Sequence, residues 1–339
     1  MIDFRKVSRR DFLGFTGKAG LATLVASAAG VSFGIVQVVE AAGKGKVLPF
    51  RFAILSDAHL YDMPNHKFDA ILEKAVDDVN KMNPQPDFVV YLGDIAQAGK
   101  RAELEKGKRI LSKLKAPLKG VIPGEHDWYL DMGQAWRDLY GSPTWSFDHK
   151  GVHFIGMNSI LVKDFWTLKG LTPVERMGFM EELECHSCGL WGVREEQLDW
   201  LKKDVKKLKT ETPVVVFTHS PLWDYYPRWN FQTEDAPQVR EILSRFERVM
   251  AFHGHVHQVV YNKIGNLSSI GTLSTSWPWP YPDAKLPYPN IKMNRVDPGD
   301  ILDGLGSQYI DLEKEFSGVL HYDTWADLMP ENVKNGVKL

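Results

Sequence analysis

The chain has 339 residues, 44% hydrophobic and 25% charged, with 41 Lys and Arg set against 43 Asp and Glu for a net charge of −2. That balance excludes a general electrostatic pull on nucleic acid, which needs a basic face. Once an amino-terminal export segment is set aside, the length suits one domain of about 300 residues with a substantial core.

In chain order the first feature is Ser8-Arg9-Arg10-Asp11-Phe12-Leu13, which matches the twin-arginine export motif. An uncharged run rich in Ala, Gly and Val follows from Ala19 to Val39, and Val39-Glu40-Ala41 offers a small-residue cleavage site. Residues 1–41 are therefore read as a signal peptide and not as a fold element. The run is about long enough to span a bilayer, but its Ser, Thr and Gly make it only mildly apolar. Removal implies a periplasmic or extracellular protein whose partner in export is the twin-arginine translocase. Retention implies membrane association of the same domain.

The remainder reads as a domain over 48–325 with a tail over 326–339. Apolar runs at 51–55, 88–92, 118–122, 214–218 and 249–252 have strand character. Each leads into acid or histidine residues. These are Asp57-Ala58-His59, Gly93-Asp94, Gly124-Glu125-His126-Asp127, His219 and Gly254-His255-Val256-His257. Ligands of open α/β sheets gather beyond the carboxyl ends of the strands, so the five clusters describe one convergent site.

Helical spacing appears at 68–82, 102–114 and 195–208. In the first of these Phe68, Ile71, Leu72, Ala75, Val76 and Val79 form a face that would cover a sheet. Residues 145–158 read as a hairpin turning at His149-Lys150-Gly151. Late strand runs at 259–264, 267–270, 308–312 and 318–322 suggest a second sheet. The alternation by itself defines an α/β class.

Asp and His side chains in this density suit a pair of divalent or trivalent ions with a bridging carboxylate. Such a pair activates water and clamps the attacking and leaving oxygens of an in-line displacement. No Ser or Cys stands in a comparable constellation, so the pattern favours direct attack by a metal-activated hydroxide.

The order Asp-x-His, Gly-Asp, Gly-Asn-His-Asp/Glu, His and Gly-His-x-His resembles the calcineurin-like metallophosphoesterases from about Phe50 to about Tyr322. The resemblance implies two packed mixed β-sheets flanked by helices, a four-layer sandwich. It also implies two metal ions per chain, with iron, manganese or zinc all admissible. Asp57, His59 and His257 would hold one ion, Asp94 would bridge, and His219, His255 and residue 125 would hold the other. His126 would face the substrate, with Asp127 orienting its imidazole.

One position departs from the family pattern: Glu125 stands where Asn is usual. A Glu ligand adds a third carboxylate and favours a harder or more highly charged ion. A Glu that does not reach leaves the second ion one ligand short.

Other polar residues receive blander readings. His253 is a strand-end residue, and His66, His149, His153 and His321 are surface or loop histidines. Two insertions stand out. The first, about 161–192, carries the two cysteines in Cys185-His186-Ser187-Cys188, read as a local disulfide or idle thiols. The second, about 274–300, is dense in Trp, Tyr and Pro. Its Trp277 and Trp279, with Trp223, Tyr225, Tyr226 and Trp229, are candidates for a cleft wall that contacts a small phosphorylated substrate.

The function expected is exported hydrolysis of a phosphomonoester, phosphodiester or pyrophosphate. The competing expectation is a weakly active relative serving as a binding or accessory protein of the cell envelope.

Overall fold

The structure is a computed structural model, and it describes residues 32–38, 47–162, 170–181, 191–225, 229, 231–278, 302, 304–316 and 318–325. The period-two side-chain alternation of its strands decides the layering. In the strand Phe50–Leu55 (β2), Phe52 and Ile54 join one apolar cluster while Ala53 and Leu55 join another. A strand buried on both faces belongs inside a stack of layers.

The first sheet runs from edge to edge as Ser32–Val38 (β1), Gly318–Thr324 (β14), Gly306–Leu312 (β13), β2, Phe88–Leu92 (β3) and Leu118–Ile122 (β4). The second runs as Tyr261–Ile264 (β11), Leu267–Gly271 (β12), Val249–His253 (β10), Val214–Thr218 (β9), Val152–Gly156 (β6) and Trp145–His149 (β5). A short ribbon pairs Leu161–Val162 (β7) with Trp191–Gly192 (β8).

Phe52, Phe88, Phe154, Phe217 and Phe252 meet between the sheets. Phe52 stacks on Phe88 at 5.3 Å and takes the other three edge-on at 5.6 to 6.2 Å. Truncating a ring in such a position to Ala costs about 3–5 kcal/mol.

Lys67–Lys81 (α1) and Arg101–Leu111 (α2) cover the outer face of the first sheet, and the six apolar residues of α1 named above are all buried there. Short helices Glu125–Trp128 (α3), Gln134–Tyr140 (α4) and Pro173–Glu181 (α5) add to that layer. Arg194–Val205 (α6) and Ala236–Leu243 (α7) cover the second sheet. The result is the four-layer α/β sandwich. Strands β2, β3 and β4 are mutually parallel, as are β6, β9, β10 and β12, so their carboxyl ends lie in common directions.

Two expectations change. The late strands do not form a sheet of their own. β11 and β12 extend the second sheet beside β10, while β13 and β14 extend the first beside β2. Strand runs carry no mark of which edge they will join, since any free edge offers the same backbone groups.

Ser32–Val38, within the segment read as a signal peptide, pairs antiparallel with β14 as the outermost strand of the first sheet. Its run of Ile35, Val36 and Val38 has high strand propensity. The twin-arginine motif lies outside the described residues. Among those residues no helix is long and apolar enough to cross a membrane.

His153 is not a surface histidine. It sits on β6, 6% exposed, with Nδ1 2.7 Å from Asp148 and Nε2 2.9 Å from Asp204 on α6. His66 caps α1, and half-buried His149 holds Asp87 at 2.7 Å. The side chain of His321 and both cysteines lie outside the description.

Candidate metal centre

The clusters sit where the parallel strands end. The loops after β2 and β3 are zipped together: Asp57 N donates to Gly93 O at 3.0 Å, His59 N to Asp94 O at 2.9 Å and Leu60 N to Ile95 O at 2.8 Å. Ser159 Oγ accepts from the amides of His219 and Ser220, which fixes the end of β9.

Asp57, His59, Asp94, His255 and His257 all hold positive φ, between 46° and 64°. A left-handed non-glycine residue costs of order 1–3 kcal/mol and persists only where its surroundings over-determine it. Five such residues at one locus mark a site built against local backbone preference.

Two glycines make room for it. A Cβ on Gly93, at φ 94°, would stand 2.4 Å from His219 Nδ1. One on Gly124 would stand 2.0 Å from Asp94 Oδ1.

All seven expected ligands are buried and converge. One group is Asp57, His59 and His257, and another is Asp94, Glu125, His219 and His255. Asp94 Oδ2 lies between them, 3.5 Å from His59 Nε2 and 3.2 Å from His219 Nε2. Glu125 reaches: Oε2 is 3.0 Å from His219 Nε2 and Oε1 is 3.0 Å from His255 Nδ1. Its carboxylate thus joins the same buried group as Asp94, His219 and His255.

The tautomers follow from the partners. His219 Nδ1 meets Leu92 O at 2.6 Å and His257 Nδ1 meets Trp277 O at 2.7 Å, and a carbonyl can only accept. His59 Nδ1 meets Gln97 Oε1 at 3.0 Å. Each Nδ1 therefore carries hydrogen, and Nε2 is the ring nitrogen that each turns inward. His59 Nε2 and His257 Nε2 then face each other at 3.2 Å.

Buried Asp57 Oδ2, Glu125 Oε2 and His219 Nε2 have no aligned hydrogen-bond partner. Lone pairs and carboxylate oxygens in mutual contact without protons between them are costly. Cations would satisfy them, so this donor set suits metal ions.

The electrostatics agree. Burial works against the Glu125 charge, yet His255 and His219 hold its carboxyl well below the usual range. Burial likewise opposes the His219 charge, and Asp94 and Glu125 overcome it to hold that ring well above the ordinary histidine value. Burial, then the neighbouring imidazoles of His126 and His257, keep His59 well below it.

Asp127 does not orient His126. Its oxygens accept from Ala96 N at 2.8 Å and Gly124 N at 3.1 Å, tying the β3 and β4 loops together. Burial, reinforced by the charge of Asp94, pushes its carboxyl up to about 7. The sequence places it beside His126, but the first helical turn aims it at backbone donors. The orienting acceptor of His126 is Gln97 O, 2.6 Å from Nδ1, while His126 N donates to Asp94 Oδ1 at 3.1 Å. His126 also lies within ligand reach of His59 and Asp94.

Sequence reasoning missed Gln97, whose signal is only a polar residue in the loop after Gly93-Asp94. Trp277 has the place anticipated: its ring lies 4.2 Å from His59 and 5.4 Å from His257. Trp191 and Phe231 each stand edge-on to His255 at 5.4 Å, with Trp229 behind Phe231 at 5.2 Å. Trp223 instead lies under Arg240, and the Tyr225 hydroxyl donates to Ser269. Trp279 and Tyr226 lie outside the described residues. His253 joins neither ligand group and bonds Gly254 O.

Fold and site together define a metal-dependent hydrolase of phosphoric esters. The calcineurin-like phosphoesterase family matches residues 50–259, and the chain belongs to it. It is 25% identical over 221 residues to a probable glycerophosphodiester phosphodiesterase of Arcobacter nitrofigilis, covering 62% of this chain and 74% of that one. It is 20% identical over 238 residues to a 3′,5′-cyclic-nucleotide phosphodiesterase of Nostoc, covering 68% and 80%. A dimetal phosphatase from Danio rerio shares the fold with a TM-score of 0.52 at 15% identity, covering 82% of this chain and 99% of that chain.

Proposed function

We propose that the protein is an exported dinuclear phosphoesterase that prefers phosphodiesters. The observation that carries the dinuclear reading is Asp94 Oδ2 standing between two buried groups of donors, one closed by His257 and the other by Glu125. When bound, the ions supply Lewis acidity to a phosphoryl oxygen and lower the pKa of the attacking water.

The chain supplies the rest. Asp57, His59 and His257 hold one side of the centre, and Glu125, His219 and His255 hold the other. With Nδ1 committed to Gln97 O, His126 has Nε2 to carry a proton to the departing alkoxide. Its amide bond to Asp94 fixes that imidazole relative to the bridging carboxylate. Three carboxylates, Asp57, Asp94 and Glu125, favour hard or highly charged ions such as ferric iron or manganese over zinc.

The diester preference draws on two relatives that bear phosphodiesterase names. It draws also on the aromatic walls, since a second ester substituent needs an apolar surface beside the phosphorus. Export rests on Ser8-Arg9-Arg10 and a pathway that carries folded proteins, suited to a metalloprotein loaded before transit.

The test compares kcat/KM for bis(4-nitrophenyl) phosphate and 4-nitrophenyl phosphate on metal-loaded protein. The proposal expects the diester to lead at least tenfold. A monoester lead of the same size would overturn the preference, and no turnover of either with metal bound would overturn the enzyme reading.

A further inference from the structure

We infer that Gln97 is a positioning residue with two separable jobs: its side chain sets how tightly the Asp57, His59 and His257 group holds its ion, and its backbone carbonyl aims His126. The inference rests on the dinuclear reading above. Four imidazoles of the centre have an Nδ1 acceptor that lies outside the two ligand groups. For His126, His219 and His257 that acceptor is a backbone carbonyl, of Gln97, Leu92 and Trp277 respectively. For His59 it is the side-chain oxygen of Gln97 at 3.0 Å. His59 is therefore the ring among these four whose orientation a substitution can alter without moving the main chain.

The backbone beneath Gln97 is over-determined. Gln97 N donates to Leu60 O at 2.9 Å, and Leu60 N donates to Ile95 O. One residue further on, Ala98 N donates to Glu103 Oε2 at 2.9 Å, while the other oxygen of Glu103 takes Asp62 N at 3.1 Å. Glu103 is 1% exposed, so this brace is internal. Changing the Gln97 side chain leaves these bonds, and with them the carbonyl that holds His126.

The side-chain contact has one polarity. Gln97 Oε1 accepts from Nδ1, which fixes the His59 tautomer and points its Nε2 at Asp94 Oδ2 and His257 Nε2. An amide is a neutral acceptor. It orients the ring while donating less electron density than a carboxylate in the same place. Removing such a partner typically lowers metal affinity 10–100-fold, and a stronger acceptor raises ligand basicity. Gln97 thus leaves the Asp57 group the weaker of the two, beside a Glu125 group that already has the additional charge.

The experiment titrates metal-stripped full-length protein with Mn2+ alone, by calorimetry and by competition with a chromophoric chelator, for wild type, Gln97→Met and Gln97→Glu. Methionine preserves length and removes the acceptor. We expect Gln97→Met to weaken the weaker of two binding steps roughly 10–100-fold and leave the tighter step unchanged. Gln97→Glu is expected to retain or tighten the weak step. Unchanged binding in Gln97→Met overturns the inference. Equal weakening of both steps in both variants overturns it also, because that is the mark of a merely structural residue. Wild-type protein that binds no Mn2+ would overturn the metal reading itself, and this inference with it.

Discussion

His59 and His257 present their Nε2 atoms to each other at 3.2 Å, and the Nδ1 of each is already committed, to Gln97 Oε1 and to Trp277 O. Two ring nitrogens therefore oppose each other in a buried place. A cation held by both rings would stabilise that arrangement, with each imidazole serving as a donor. The same relation makes folding and metal loading interdependent, because an ion that binds only the folded chain stabilises it by mass action.

Under the proposed function His126 serves the reaction and not the fold. It is half-buried, and its main-chain bonds survive a change of side chain. His126→Ala should lower kcat by about 10²–10⁴ with metal content per chain unchanged, the range expected for loss of a general acid. Parallel metal analysis and kinetics on nitrophenyl esters check this. A proportional fall in both metal and activity would instead make His126 a ligand.

Trp277 contributes in two separable ways, its carbonyl to His257 and its indole to the wall beside His59. Trp277→Ala retains the carbonyl and deletes the wall. It should lower kcat/KM for a bis-aryl diester about tenfold, roughly the effect of one lost apolar contact of 1–3 kcal/mol, and spare a methyl aryl diester. Equal losses on both substrates would deny the ring a role in substrate selection.

The clamp of His153 between Asp148 and Asp204 predicts a pH dependence of stability. Burial opposes the charged ring, but the two carboxylates outweigh it and raise the His153 pKa above its ordinary value, while Asp204 is correspondingly lowered. A raised histidine stabilises fully below the unfolded value of about 6.5 and loses that contribution as pH climbs through the folded value. Asp148 is three-quarters exposed and screened, so the Asp204 bond carries most of the effect, about 1–2 kcal/mol. Urea unfolding should show His153→Asn less stable than wild type at pH 5.5 by roughly that amount, with the gap narrowing by pH 9. A gap independent of pH would remove the ion pairs from the account.

The centre was legible in sequence because its chemistry is confined to few residue types at strand ends. The apolar run 88–92 followed at once by Gly93-Asp94 announces both the strand and the ligand. Helix α1 was equally plain, its buried face repeating at helical spacing. What did not show was the choice among partners distant in sequence. Asp127 looks like the neighbour of His126 yet serves two backbone amides, and His153 looks like a loop histidine until α6 brings Asp204 to it. Gln97 carries no motif at all. Its role exists only once the β2 and β3 loops are zipped side by side. The late strands show the same limit, since their alternation reveals a buried face but not the edge it will extend.

The central claim is a two-ion centre completed by Glu125. The most direct measurement is metal content per chain of natively produced protein, wild type beside Glu125→Asn. The account predicts close to two ions per wild-type chain, with iron or manganese prominent, and a shift in metal identity or affinity at one of them in Glu125→Asn. One ion or fewer in wild type, not restored by added metal, would contradict it.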